Sequence, residues 1–99
     1  MARIILPEKV VSPKDRWSLA EVLDDGKEDG SALAIGEWDG KRRLAMRWNG
    51  GEDWTPIGFP RSRGRWPTWF IVPPKYNEAI FQTLPPDKAA RAKDYLDGT

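Results

Sequence analysis

Apolar positions in this chain come in short runs broken by glycine, proline and acidic residues, a spacing that suits strands better than long helices. The strongest pattern is SALAIGEW-DG-KRRLAMRW, residues 31–48, two runs of equal length joined by Asp39-Gly40. Asp-Gly is a type I′ turn dipeptide, so a two-residue β-hairpin is predicted. That turn fixes a register in which Trp38 faces Lys41, Glu37 faces Arg42, Gly36 faces Arg43, Ile35 faces Leu44, Ala34 faces Ala45, Leu33 faces Met46, Ala32 faces Arg47 and Ser31 faces Trp48. Because side chains alternate, Leu33, Ile35, Leu44 and Met46 fall on one face and are expected in the core. The other face carries Ala32, Ala34, Gly36 and Ala45 with Trp38, Lys41, Arg43 and Arg47, a floor of small residues edged by three cations and one indole.

Residues 16–23 satisfy either a period of two or a helical period. The acidic, glycine-flanked turn at 24–30 favours a strand leading into the hairpin. Ala2–Leu6 reads as an edge strand or arm ended by Pro7, while Pro56, Gly58 and Pro60 mark 54–60 as irregular. Trp66–Val72 reads as a strand buried on both faces and stopped by Pro73-Pro74. A helix is predicted over Lys75–Leu84, with Tyr76, Ala79, Ile80, Thr83 and Leu84 on one stripe. A second, Ala-rich helix over Lys88–Leu96 is capped by Asp87 and frays near Gly98. The sum is an α+β domain: a small antiparallel β-meander or half-barrel of about four or five strands with one or two C-terminal helices. One domain spans 1–99, with its core in 16–84, an arm or edge strand in 1–15 and the partly frayed helix in 85–99; the length leaves no room for two self-sufficient cores.

With no Cys and no His among 99 residues, the usual zinc sites, thiol nucleophiles, disulfides and the commonest general base are excluded. Ser12, Ser18, Ser31 and Ser62 have no histidine partner, and Gly50, Gly51 and Gly64 lack a phosphate-loop context, so a non-enzymatic protein without cofactor is expected. The acidic group Asp24, Asp25, Glu28 and Asp29 does not follow the calcium-loop spacing; a solvated turn is the expected reading and no metal is predicted. No apolar run reaches membrane-spanning length and the N-terminal run is too short for a secretion signal. A reducing, cytoplasmic setting in a bacterium or phage is therefore expected.

The net charge of +1 conceals segregation. Residues 1–40 hold 5 Lys/Arg against 9 Asp/Glu, residues 41–75 hold 8 against 2, and residues 76–99 hold 3 against 4. The basic middle third suggests an acidic partner, nucleic acid or protein. Two clusters are candidates for its contact surface. Trp38 with Lys41, Arg43 and Arg47 could stack a base between phosphate-binding cations, unless a C-terminal helix covers the small-residue floor. Arg61, Arg63 and Arg65, with Trp66 beside them, would present a side chain to the same side about every 7 Å if extended, close to the phosphate spacing of a strand; a solvated loop is the alternative. Six Trp is a high count for this length. Trp17, Trp48 and Trp69 are expected as core volume, while Trp38, Trp54 and Trp66 flank turns, Gly or Pro and are divided between core and surface; Trp48-Asn49-Gly50 with Trp54 and Trp66 could alternatively line a pocket.

The segments GEWDGKRRLAMRWNG and IGFPRSRGRWPTWFIVP carry a W-[DE]-G…MRWNG…P-x-WF pattern. In this the chain resembles a group of small uncharacterised bacterial proteins associated with mobile elements. The matching positions are Trp38, Gly40, Met46, Arg47, Trp48, Asn49, Gly50, Pro67, Trp69 and Phe70, within residues 16–84. The resemblance implies a setting and no activity. Two main readings follow: a binding module for single-stranded DNA or RNA, or a protein-interaction module such as a mobile-element or phage accessory protein or inhibitor docking on a host complex. A small-molecule binder or enzyme is the third. An exposed strand such as Ala2–Leu6 would also allow a homodimer.

Overall fold

The computed structural model describes residues 5–51, 57–61 and 66–98. Four strands, β1 (Trp17–Asp25), β2 (Ser31–Trp38), β3 (Lys41–Trp48) and β4 (Phe70–Ile71), form one open antiparallel sheet in the order β1-β2-β3-β4. Two helices follow, α1 (Asn77–Phe81) and α2 (Pro86–Asp97), so the fold is a small α+β domain. The β2–β3 register is the one that the Asp39-Gly40 turn dictates, from Trp38↔Lys41 to Ser31↔Trp48. Both turn residues have positive φ, 52° and 82°, as a type I′ turn requires.

β1 departs from regular pairing twice, between Leu19 and Glu21 and between Val22 and Asp24. Each extra residue resets the alternation, which sends Leu19 and Val22 to one face and the fully buried Leu23 to the other. The two faces therefore carry separate cores. On the small-residue face Ala32, Ala34 and Ala45 pack with Val10, Trp17 and Trp69; on the opposite face Leu33, Ile35, Leu44, Leu23 and Val72 pack with Ala92. Ile80, Phe81, Leu84, Tyr95 and Leu96 of the C-terminal segment complete the second cluster. Arg91 reaches Glu21 at 2.5 Å, and Arg42 Nη1 donates to the Tyr95 carbonyl at 2.8 Å while its guanidinium lies 4.5 Å from the Tyr95 ring. These contacts seat α2 on the Leu/Ile face.

The small-residue floor is thus covered, but by indoles and the N-terminal segment rather than by a helix. Gly36 lies beneath Trp17, whose ring stands 6.3 Å from that of Trp69, and Trp69 Nε1 donates to the Val10 carbonyl at 2.7 Å. Alanine and glycine leave depth above the sheet that two large rings fill.

Several elements differ from expectation. The segment 66–72 contributes only the two-residue β4, and Phe70 is exposed rather than buried on both sides. The predicted helix over Lys75–Leu84 is a single 3-10 turn at Pro74–Tyr76 followed by the five-residue α1, and residues 82–84 form turns instead of continuing it. Asp87 lies in the first turn of α2 instead of capping it; the cap position is Pro85 and has no side-chain bond. Pro7–Lys9 is a 3-10 turn, and most of the expected Ala2–Leu6 strand lies outside the described residues.

Candidate functional site

The face that receives the helices is only half covered. Its cross-strand rows run from the Asp39-Gly40 end as Glu37–Arg42, Ile35–Leu44, Leu33–Met46 and Ser31–Trp48. The C-terminal segment packs on the first two and stops at Leu33, which is 6% exposed. Beyond it Phe70 pairs with Met46, and Phe59 pairs with Trp48 through two backbone bonds, 2.6 Å from the Trp48 N–H and 3.0 Å from the Phe59 N–H. Directly paired residues share a face, so Met46, Trp48, Phe59 and Phe70 project together on the side of the sheet that α2 leaves open. They are 37%, 56%, 39% and 52% exposed. With Ser31 and Pro60 they line an open groove of about 410 Å³ whose walls are almost wholly apolar.

The groove is built on a buried cation. Arg47, on the opposite face, is 3% exposed; its guanidinium donates to the carbonyls of Ile57, Pro60 and Thr68, the Pro60 contact at 3.3 Å. Those carbonyls belong to two segments, 57–61 and 66–68, which also bond to each other from the Thr68 N–H to Pro60 O at 3.0 Å. Burial pushes the Arg47 pKa down to about 10, so the side chain stays charged at neutral pH. Gly58, at φ 71°, completes the join: a Cβ there would stand 2.0 Å from the Trp48 carbonyl oxygen and 2.6 Å from Arg47 Nη2. Arg47 thus holds the segment that carries Phe59 and Arg61 against the end of β3.

A second clip fixes the acidic loop at the same end of the sheet. Asn49, fully buried, donates from Nδ2 to Asp25 Oδ1 at 3.0 Å and to the Lys27 carbonyl at 2.9 Å. The Asp29 N–H donates to Gly50 O and the Asn49 N–H to Gly30 O, both at 2.8 Å. Asp24 pairs with Leu33, so it lies at the β1 end of the row that continues through Met46 to Phe70. Arg61, bridged to Pro67, has its guanidinium 5.0 Å from the Phe59 ring.

The residues expected to form the contact surface are dispersed. Trp38, half-buried, packs against the Trp17 core, and Lys41 is exposed beside the turn. Half-buried Arg43 donates to the Arg42 carbonyl at 2.9 Å. Arg47 is not an edge cation of an open floor: its guanidinium is spent on three carbonyls beneath Trp69's end of the sheet. Arg63 and Arg65, with Trp54, lie outside the described residues. Trp66 is 68% exposed and lines a separate shallow recess with Ser12, Pro13 and Lys14. Trp17 and Trp69 are core, as expected; Trp48 is not, and neither is Met46.

Among the described residues no group of three or more acidic side chains is placed to hold a metal ion, and no helix is long and apolar enough to cross a membrane. Comparison with protein-family models, curated proteins and solved structures finds no match to this chain.

Proposed function

We propose that this protein is a protein-interaction module whose contact surface is the open half of the helix-bearing sheet face. The observation that carries the reading is the grouping of Met46, Trp48, Phe59 and Phe70, each more than a third exposed, around one apolar groove. Leaving such a patch in water forgoes burial worth about 25 cal/mol per Å². Contiguous exposed apolar surface of this kind marks interaction sites. Aromatic residues, Met and Arg are also the types enriched at the centres of protein interfaces.

Nucleic-acid binding fits the same surface less well. A stacking site needs cations along its length to hold phosphates. Here Lys41 and Arg43 stand at the Asp39-Gly40 end of the sheet, and Arg47 is buried. Arg61 is the one cation that the described residues bring to its rim.

The test has two arms. A photo-cross-linking residue at position 70 is expected to give discrete protein adducts in cells, lost when Trp48→Asp is added, whereas the same residue at position 43 gives none of them. A mixed single-stranded oligonucleotide titrated at low salt is expected to leave tryptophan emission unchanged. Saturable quenching that weakens with salt and disappears in Trp48→Ala or Arg61→Ala would overturn the reading in favour of nucleic acid.

A further inference from the structure

Resting on the reading of the groove as a contact surface, we infer that Met46 is a site of reversible oxidation whose sulfoxide closes the groove to an apolar partner while leaving the fold intact. The chain holds two methionines, Met1 and Met46, and no cysteine. An oxidant that acts on sulfur therefore meets only thioethers here, and Met46 is the one within the described residues.

The first support is reach. Met46 is 37% exposed on the half of the sheet face that the C-terminal segment leaves open, and it lines the groove with Trp48, Phe59 and Phe70. Susceptibility of sulfur to oxidation follows its exposure. Neither core cluster includes Met46, so no packed shell shields it.

The second support is what an added oxygen does at this place. Oxidation turns a flexible apolar side chain into a polar one. The groove walls are almost wholly apolar, and a partner that covered them would have to strip the water from the new S=O oxygen. That costs free energy unless a donor replaces the water. The free protein bears no such cost, because the oxygen stays in water and both cores are built without this sulfur. Pairing of Met46 with Leu33 and Phe70 is made by the backbone, which the oxidation does not touch.

Hydrogen peroxide serves as the oxidant. A thioether lone pair attacks one peroxide oxygen, the O–O bond breaks, and an S–O bond forms. Sulfur is oxidised to the sulfoxide and the peroxide is reduced to water. The return step takes a pair of thiols, which become a disulfide while the sulfoxide oxygen leaves as water. Methionine sulfoxide reductases supply those thiols, one enzyme for each sulfoxide epimer. This chain has no cysteine of its own, so the reductant comes from outside.

The test treats the full chain with dilute hydrogen peroxide and follows the Met46 peptide by mass. Melting temperature and binding of a hydrophobic dye are read on the same samples. Met46 is expected to gain one oxygen at a rate within about threefold of that of free methionine, as its exposure allows. The melting temperature is expected to stay nearly unchanged. Dye binding is expected to weaken about three- to tenfold, the scale of losing one or two buried methylene groups, and to return after reductase treatment. Met46→Leu is expected to keep its dye binding through peroxide, and Met46→Gln to bind dye weakly without any. Oxidation slower than that of free methionine by more than about tenfold would show the sulfur covered and overturn the inference. A large fall in melting temperature on oxidation overturns it too, by making Met46 a structural residue. So does complete oxidation with dye binding unchanged, or a loss that Met46→Leu shares in full. The cross-links from position 70 separate this inference from the reading beneath it. If they persist at full strength on oxidised protein, the switch falls and the protein-partner reading stands. If they are absent before oxidation while the dye response holds, the partner reading falls and the oxidation-gated groove stands.

Discussion

The six-membered edge of the Trp17 indole rests on the backbone of Gly36: a Cβ added there would come within 2.5 Å of Cη2 and 2.7 Å of Cζ2. The Ser18 carbonyl oxygen, also 2.5 Å away, closes the space from the backbone side. Gly36→Ala therefore cannot be absorbed by a small shift of one flexible side chain. It is expected to cost about 2–3 kcal/mol through overpacking, seen as a lower urea midpoint with an unchanged slope. Trp17→Phe in the same chain should recover part of that loss, a coupling that a double-mutant cycle measures.

Arg47 makes the opposite kind of contribution, one of polar satisfaction in a dry site. Arg47→Met keeps the stem but leaves the carbonyls of Ile57, Pro60 and Thr68 without their donor. A loss of about 3–5 kcal/mol is expected, with Arg47→Lys intermediate because an ammonium cannot reproduce the planar fork. The pH dependence has a definite sign. The folded pKa of about 10 lies below the ordinary value of a guanidinium, so above about pH 10 the unfolded chain binds more protons and this group's contribution to stability rises with pH. Below pH 10 it is flat. Denaturation series run above pH 9 should show a more positive slope in the wild type than in Arg47→Met; equal slopes would mean that the guanidinium does not titrate differently on folding.

Four of the described tryptophans divide cleanly in exposure, with Trp38 between them. Trp17 and Trp69 are 3% and 5% exposed, Trp48 and Trp66 56% and 68%. Acrylamide quenching should fall in Trp48→Phe and in Trp66→Phe with the melting temperature nearly unchanged. Trp69→Phe should leave quenching intact and lower stability by about 2–4 kcal/mol, since it removes buried volume and the donor to the Val10 carbonyl. A drop in melting temperature for Trp48→Phe as large as for Trp69→Phe would show that Trp48 is packed in solution.

The hairpin was legible because its determinants are local: Asp39 and Gly40 take the turn, and the period of two then assigns each side chain between Ser31 and Trp48 to a face. What covers each face was not local. Ala32, Ala34 and Gly36 suit a close-packed helix as well as they suit a broad ring, and nothing near them in sequence says that Trp17 and Trp69 arrive there first. Arg47 misled for a related reason. At a strand position facing small residues, a guanidinium reads as an edge cation, and the carbonyls that bury it come from segments 10 to 21 residues away. Met46, Trp48 and Phe70 looked like core because apolar side chains on a paired strand usually are. Their exposure follows from where the C-terminal segment sits: it packs on Leu23, Leu33, Ile35, Leu44 and Val72, and Met46, Trp48 and Phe70 lie outside that cluster. One signal was present: alternation puts Phe59 and Arg61 on a common side, next to prolines that deny them a central strand.

Phe70 and Val72 supply the sharpest test of that opening, because they lie two residues apart on one face of the same stretch. Val72 is 2% exposed beneath the helices, and its N–H donates to the Leu44 carbonyl at 2.9 Å; Phe70 is 52% exposed beside Met46. Val72→Ser puts a hydroxyl into the apolar cluster of Leu44 and Ala92 and removes buried carbon, so a loss of about 2–4 kcal/mol is expected. Phe70→Ser removes surface that water already reaches and should stay within about 1 kcal/mol. It should also reduce binding of a hydrophobic dye to the native protein, which Val72→Ser under folding conditions should not. Equal destabilisation by the two substitutions would mean that the helix layer extends over Phe70 in solution, and the groove would then be closed to any partner.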